Sequence, residues 1–434
     1  MVEGNIVDLR LLHGVLEGCF DSVMAALGAG ANVDGSPEQP FTPIVAATMV
    51  DDARMVDYLL RQGANPDRPV DVELPCPGSD MIAVPGERAL HLATRSGKVG
   101  IAGLLLNRAR ADPNATDNRG CTPLLATCLS PPVCVEEVVR LLLEAGADPA
   151  LADGDGFIPL HPAALNGLMG VVDMLYSAAS TTLNRCTPTG ETPLYAACVG
   201  GHESVVSKLL SLGAMQPMLT DKGGKCPLAI AVSNASLGVV RVLINEGGVR
   251  AVGGEMALVR ALGRAVEIRQ ARILRLLLSA DGDERRSGWA NATHLGRNLL
   301  HHGAAYCYPA AVGILLDAGA DEAERDAHGR IPRDVIGLGR GLDDEVRMDR
   351  GKRIAIHRML QRGHAYRARS WAWPSDGEVH VGASSDSDTA AAVAAAVTVL
   401  SSPPAVKPPP TTGVRIIRPK ERSSSKLFAR LVGR

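Results

Sequence analysis

Aliphatic residues recur along this chain in short runs that end at a regular distance from one another. The last apolar residues of these runs are Leu27, Leu60, Leu106, Leu143, Tyr176, Leu210, Ile244, Leu278, Leu316 and Leu360. From Leu143 to Leu278 they are 33 or 34 residues apart. Seven of the ten are followed three residues later by glycine, which adopts the left-handed conformation that ends a helix at little cost. Each run is therefore predicted to be a helix that stops near this position.

A second motif precedes the runs with the same period. The segment 156–161 (GFIPLH) returns at 190–195 (GETPLY) and at 224–229 (GKCPLA), so the copies begin 34 residues apart. In three repeats, including the one at 190–195, a Thr-Pro pair supplies an N-cap hydroxyl before a proline in the first helical turn. These threonines are Thr42, Thr122 and Thr192. Self-similarity at this period indicates stacked repeats, each in contact with its neighbours.

The spacing and the Gly-x-Thr-Pro-Leu-His-x-Ala core resemble the ankyrin repeat, a hairpin turn followed by two antiparallel helices. The resemblance implies an all-α solenoid, and we assign it about ten units over residues 5–373. It is strong in the middle of the chain and weaker over residues 248–294 and in the last unit. The unit at 255–281 is assigned from its aliphatic run alone.

Two segments depart from the period. The distance from Leu60 to Leu106 is 46 residues, and the excess falls in residues 68–86. Four prolines there exclude a regular helix and predict an extended loop that projects from the hairpin edge. Residues 374–434 are rich in serine, proline and alanine, which predicts a disordered tail.

The end of this tail carries a candidate binding element. Lys426 and Arg430 are four residues apart, which would place them on one face of a helix, and Leu427, Phe428 and Leu431 would form a neighbouring apolar stripe. A basic amphipathic segment of this kind can dock into a groove of a partner or lie on an anionic membrane. The alternative is a solubilising tail in which the spacing arose by chance.

Composition narrows the class of protein. Hydrophobic residues make up 46% of the 434 residues and aromatic residues only 3%, so the core is expected to consist of leucine, valine and alanine. A net charge of −2 argues against nucleic acid as a partner. Nine scattered cysteines without a C-x-x-C pair favour reduced thiols in an intracellular protein, cytoplasmic or nuclear. No apolar run approaches the ~20 residues of a membrane span.

The histidines are the main candidates for chemistry. His91, His161 and His301 occupy the same place in separate units, where the resemblance implies a structural residue that links turns by hydrogen bonds. His302 and Cys307 lie close to His301 in sequence, but consecutive helical residues point about 100° apart, which argues against zinc. We therefore predict no catalytic residue, no metal and no cofactor.

The resemblance also implies where a partner binds, namely on the hairpin tips and on the exposed face of the shorter first helices. The tip residues are Asn118, Arg119, Asp155, Phe157, Thr189, Glu191, Lys222, Lys225, His328 and Arg330. Phe157 is either an exposed aromatic anchor or a residue that packs against the neighbouring hairpin.

These observations predict a non-enzymatic scaffold or adaptor that binds another protein and has no small-molecule substrate. The alternative is a targeting subunit that recruits an enzyme, a ubiquitin ligase or a phosphatase, through its C-terminal tail. Membrane contact is expected at most through the basic C-terminus.

Overall fold

The computed structural model describes residues 2–75, 82–215, 226–247, 255–279, 288–294, 297–339 and 349–366. The described chain is mostly helical and divides into two compact units, residues 1–258 and 259–434. The predicted tail and its motif (Lys426, Leu427, Phe428, Arg430 and Leu431) lie outside the described residues, as do Lys222 and Lys225.

Helices of the first unit come in pairs. The first members are α1 (Val2–Leu16), α3 (Pro43–Met49), α5 (Ala89–Arg95), α7 (Pro123–Leu129), α9 (Leu160–Leu165), α11 (Pro193–Gly200) and α13 (Pro227–Ser233). The second members are α2 (Phe20–Gly28), α4 (Ala53–Arg61), α6 (Val99–Asn107), α8 (Val135–Glu144), α10 (Met169–Ala178), α12 (Glu203–Ser211) and α14 (Leu237–Val242). A 3-10 turn at Ser180–Thr182 follows α10, and a π turn at Leu243–Gly247 follows α14. Each first helix packs on its partner and on the first helices before and after it, and the second helices from α4 to α14 form a parallel row.

The predicted threonine caps begin three of the first helices. The hydroxyl of Thr42 accepts a hydrogen bond from the N–H of Val45 at 3.4 Å. Thr122 and Thr192 accept in the same way from residues three positions later, at 3.3 and 3.1 Å. At α13, Cys226 lacks the hydroxyl, and its sulfur accepts from the N–H of Ala229 at 3.3 Å. A cysteine sulfur thus caps α13 in the place of a threonine hydroxyl.

The second helix of several pairs ends near a glycine, as predicted. Gly63, Gly146 and Gly213 have φ values of 88°, 91° and 89°, a region that a side chain would strain. At the end of α4, the N–H of Gly63 donates to the carbonyl of Leu60, and the N–H of Ala64 donates to Leu59. These bonds satisfy carbonyls that the helix leaves without a partner.

The core of the first unit lies between the two rows of helices. Leu59, Leu142 and Leu209 are fully buried, whereas Leu60 and Leu210, which end the aliphatic runs, are only half-buried. One residue along a helix rotates the side chain by about 100°, so only the first of each leucine pair points between the rows. In these helices the core residue is therefore the leucine before the one that ends the aliphatic run.

The proline-rich insertion contains a small antiparallel ladder that the sequence did not predict. Strand β1 (Leu74–Pro75) pairs with β2 (Ile82–Ala83), with Leu74 opposite Ala83. The guanidinium of Arg95 donates to the carbonyl of Ile82 at 2.6 Å and forms an ion pair with Glu87 at 3.1 Å. The carboxylate of Glu87 also accepts a hydrogen bond from the N–H of Val84 at 2.7 Å. Through Arg95, the β2 end of the insertion is thus attached to α5.

The second unit is built around one central helix. Its elements are α15 (Glu255–Glu267, which begins before the boundary), α16 (Ala271–Leu278), β3 (Thr293–His294), β4 (Arg297–Asn298), α17 (Leu299–Ala305), α18 (Pro309–Asp317), a 3-10 turn (Pro332–Val335) and α19 (Arg350–Tyr366). Strands β3 and β4 pair antiparallel. Helix α18 packs on α16, α17 and α19, and the 3-10 turn packs on α17 and α19. Asn298 caps α17 by accepting from the N–H of His301 at 2.9 Å.

Candidate functional site

Four of the described hairpin tips are closed by a buried polar side chain. The Oδ1 atom of Asp117 accepts from the N–H groups of Arg119 and Cys121, both at 2.8 Å, and its own N–H donates to the carbonyl of Cys121 at 3.0 Å. Asp153 repeats the arrangement and accepts from the N–H of Phe157 at 2.9 Å. Because both carboxylates are buried and hydrogen-bonded to the backbone, they hold the turn in its conformation.

The same turn is made with other residues elsewhere. At the next tip, the hydroxyl of Thr187 replaces the carboxylate and accepts from the N–H of Glu191 at 3.1 Å. In the second unit, Asp326 accepts from the N–H groups of His328 and Arg330 at 2.9 and 3.0 Å. Burial alone would raise the pKa of Asp326, but hydrogen bonds from the side chain and backbone of Arg330 hold that pKa well below its usual range.

Buried histidines connect each turn to the next one. The Nε2 atom of His91 lies 3.0 Å from the carbonyl oxygen of Cys121, and that of His161 lies 3.1 Å from the carbonyl of Glu191. His301 makes the equivalent contact with Arg330 at 2.8 Å. These contacts confirm the structural role that the resemblance implied.

The protonation of two of these histidines is set by their surroundings. The Nδ1 atoms of His91 and His161 each accept from a backbone N–H at 3.3 Å, so Nε2 carries the proton and donates to the next turn. Burial lowers the pKa of His91 and of His161 to about 4, and both rings are therefore neutral at pH 7.

The structure divides the predicted tip residues into an outer and an inner set. Asn118, Arg119, Thr189 and His328 are exposed, and Asp155 and Arg330 are half-buried. Phe157 and Glu191 are buried, with 4% and 7% exposure.

The ring of Phe157 lies edge-on to that of His161, with centroids 5.6 Å apart. The interpretation of Phe157 as an exposed anchor was therefore wrong. Its position, four residues after the turn aspartate, faces inward, as the equivalent Cys121 and Glu191 also do.

The first helices contribute less surface than the resemblance implied. Every residue of α3, from Pro43 to Met49, is buried, and the same holds for residues 123–128 and 193–198. These short helices are enclosed by their neighbours in the row and by the second helices. The surface available to a partner on this side is therefore formed mainly by the tips.

Neighbouring tips of the first unit are hydrogen-bonded to one another. The N–H of Gly154 donates to the carbonyl of Arg119 at 2.8 Å. The guanidinium of Arg88 spans two loops, donating to the carbonyl of Asp67 at 2.8 Å and to that of Thr116 at 2.7 Å. This link was not predicted from the sequence, although Arg88 stands where other repeats have the capping threonine.

We call the edge formed by these linked hairpins, with Asn118, Arg119, Asp155 and Thr189 on its outside, the tip edge. The guanidinium of Arg119 lies 3.6 Å from the Asp117 carboxylate, and half of its side chain remains exposed. The edge thus presents amide, guanidinium, carboxylate and hydroxyl groups on a hydrogen-bonded frame. Such a surface suits recognition of a polar partner by directional hydrogen bonds.

Comparison with known proteins identifies the architecture. The family model described as ankyrin repeats (3 copies) matches residues 90–185 and 160–252. The ankyrin repeat protein YahD of Escherichia coli (strain K12) is 31% identical over 186 residues, which are 38% of this chain and 92% of that protein. This chain belongs to the ankyrin repeat family.

Two further relatives share the similarity over short stretches. The SMC5-SMC6 complex localization factor protein 1 of Bos taurus is 37% identical over 91 residues, and the tyrosine-protein kinase Shark of Drosophila melanogaster is 36% identical over 107. These matches span 21% and 24% of this chain and only 8% and 11% of those proteins. Ankyrin repeats are protein–protein interaction modules, and the family is generally non-enzymatic.

The other sequence candidates, in the second compact unit, have structural partners. His302 stacks on Tyr306 with ring centroids 6.4 Å apart, while His301 faces the next turn. Over the part of the chain that the structure describes, no group of three His, Cys, Asp or Glu residues is placed to hold a metal ion. Within the same residues, no helix combines the length and apolar character needed to cross a bilayer.

Proposed function

We propose that this protein is a non-enzymatic scaffold or adaptor that binds another protein along the tip edge of its first compact unit, residues 1–258. The observation that carries the proposal is the contrast within each hairpin. The inward positions repeat the same buried contacts. The outward positions Asn118, Arg119, Asp155 and Thr189 differ in chemistry from one repeat to the next.

The contacts between hairpins support this role in a second way. The bonds from Gly154 to Arg119 and from Arg88 to Thr116 hold neighbouring tips in register. A surface that is already ordered loses less conformational freedom when a partner binds. Arg119 is the strongest single candidate, because arginine is enriched among the residues that dominate binding energy.

Affinity capture with matched variants tests the proposal. The tip variant combines Asn118→Ala, Arg119→Ala and Thr189→Ala, and the control combines Glu137→Ala, Arg140→Ala and Arg241→Ala on the exposed side of α8 and α14. We expect the tip variant to reduce recovery of the captured partner about tenfold, equivalent to ~1.4 kcal/mol, and the control to leave it unchanged. Quantitative mass spectrometry gives the recovery, and thermal unfolding checks that both variants remain folded. Loss of the partner in the control but not in the tip variant would assign binding to the second helices.

The same capture separates a scaffold from a protein that recruits an enzyme through its tail. A chain that ends at Trp373 retains the tip edge and lacks the tail. If a ubiquitin ligase or phosphatase disappears from the captured proteins while the tip-edge partner stays, the tail is the recruiting element.

A further inference from the structure

The last described helix is unusually basic. Helix α19 contains five Lys or Arg residues and no Asp or Glu. Its apolar side chains Ile356 and Leu360 are buried, and the helix packs on α18 and on the 3-10 turn. Packing therefore fixes which side of α19 faces solvent.

Four arginines lie on the solvent side of this helix. Arg350, Arg353, Arg358 and Arg362 are all exposed, and at 3.6 residues per turn they fall within about half of the helix circumference. We call this surface the basic face. None of the four forms an ion pair with another described residue.

The acidic group nearest in sequence does not neutralise the basic face. Asp349, immediately before α19, accepts from the ammonium of Lys352 at 2.9 Å and from the N–H of Lys352 at 3.0 Å. Its charge is thus matched by Lys352. A planar guanidinium binds carboxylates through paired hydrogen bonds, so four exposed arginines form a surface suited to an acidic polypeptide.

The chain itself supplies an acidic segment next to this helix. Between residues 370 and 406 there are four acidic residues and no Lys or Arg. The acidic residues are Asp376, Glu378, Asp386 and Asp388. They lie outside the described residues, and the segment that they define, 376–388, matches the basic face in number of charges and is opposite in sign.

The connection is long enough for this segment to reach the basic face. Asp376 lies ten positions after Tyr366, a stretch of chain that spans up to ~33 Å when extended. Helix α19, with 17 residues, is about 25 Å long. Exposed ion pairs are individually weak, but a short tether keeps the segment at a high effective concentration near the helix.

We propose that the basic face of α19 is the docking surface for the acidic segment 376–388 of the same chain. In the docked state the segment covers the arginines and excludes other acidic polypeptides from them. This inference concerns the second unit and does not depend on the function proposed for the tip edge.

A competition experiment on the full-length chain tests this contact. The probe is a fluorescein-labelled peptide with the sequence of residues 374–390, and its anisotropy is titrated with protein at low ionic strength. Docking of the internal segment leaves only a fraction of molecules free to bind the probe. We expect the variant Asp376→Asn, Glu378→Gln, Asp386→Asn and Asp388→Asn to bind the probe at least about threefold more tightly than the unmodified chain.

Further variants locate the surface. In the neutralised background, Arg353→Gln, Arg358→Gln and Arg362→Gln should weaken probe binding about tenfold or more, since each guanidinium contributes to the same surface. The matched control, Arg54→Gln, Arg140→Gln and Arg241→Gln, changes three exposed arginines of the first unit and should leave the titration unchanged. Circular dichroism confirms that the variants retain their helices.

Two results would overturn the proposal. One is equal probe affinity of the neutralised variant and the unmodified chain, which would show that the internal segment does not occupy the binding surface. The other is loss of binding when Arg418, Lys420 and Arg422 are changed to glutamine, with no effect of the α19 variant. The acidic segment would then bind the basic C-terminus instead.

Discussion

At the scale of single residues, the ankyrin turns depend on polar groups that are buried and fully used. His91 and His161 each accept one backbone hydrogen bond and donate another to the following turn. A ring in this position cannot take up a second proton without losing its acceptor role. Burial and geometry therefore favour the same neutral form.

This neutral form makes stability depend on pH. The pKa of both histidines falls from 6.5 in the unfolded chain to about 4 in the folded one. Below pH 6.5 the unfolded chain binds protons that the folded chain does not yet bind, so the free energy of unfolding is full above pH 6.5 and decreases as the pH falls towards 4. Each histidine accounts for about 3 kcal/mol of this decrease.

Urea unfolding between pH 7.5 and 4.5 measures the effect. We expect the double variant His91→Gln and His161→Gln to be less stable at pH 7.5 and to lose less stability on acidification. His13→Gln, at an exposed position, should retain the full pH dependence. If the free energy of unfolding of the double variant falls with pH as steeply as that of the unmodified chain, other groups take up the protons.

At the scale of elements, a difference of one residue decides which leucine holds a second helix in place. In α12, Leu209 points between the rows and is 0% exposed, whereas the adjacent Leu210 is half-buried. The two are adjacent residues of the same type near the end of the same helix. Only the direction of the side chain differs, so the pair forms a matched test of the packing.

We expect Leu209→Ala to reduce the free energy of unfolding by about 2–5 kcal/mol, because it removes buried methyl groups and leaves a cavity. Leu210→Ala should cost distinctly less, since its side chain is already in partial contact with water. Chemical unfolding of the two variants under identical conditions gives both values. Equal losses, or a larger loss at Leu210, would contradict the register of α12.

At the scale of the whole molecule, each described unit is held together by contacts between neighbouring helices. In the first unit two rows of helices form a continuous core, and in the second unit α18 contacts the helices around it. Helix α19 buries Ile356 and Leu360 before the described part of the chain ends at residue 366. The core of the described residues thus extends into the last described helix, and we expect it to form without residues 374–434.

A chain that ends at Trp373 should accordingly keep its helical content and unfold cooperatively. Exposed ion pairs contribute little to stability, so the melting temperature is expected to change by less than about 3 °C even if residues 376–388 dock on α19. Circular dichroism and calorimetry make the comparison. A clear loss of helix or a larger fall in melting temperature would show that the tail belongs to the core.

The sequence by itself determined the repeat period, the starts of the capped helices and the glycines that end them. It also identified the histidines that link the turns. These features rest on interactions between residues close together in the chain, such as Thr122 with the N–H of Leu125. Such contacts produce a motif that can be recognised wherever it recurs.

Only the tertiary structure decided which side chains face outward on the tip edge. Phe157 and Arg119 both lie in short turns, yet one is buried and the other half-exposed. The contacts of Arg88 and Arg95 likewise join residues that are 8 to 28 positions apart in sequence. Whether a side chain is buried depends on contacts with the neighbouring repeat, and a local motif does not predict those contacts.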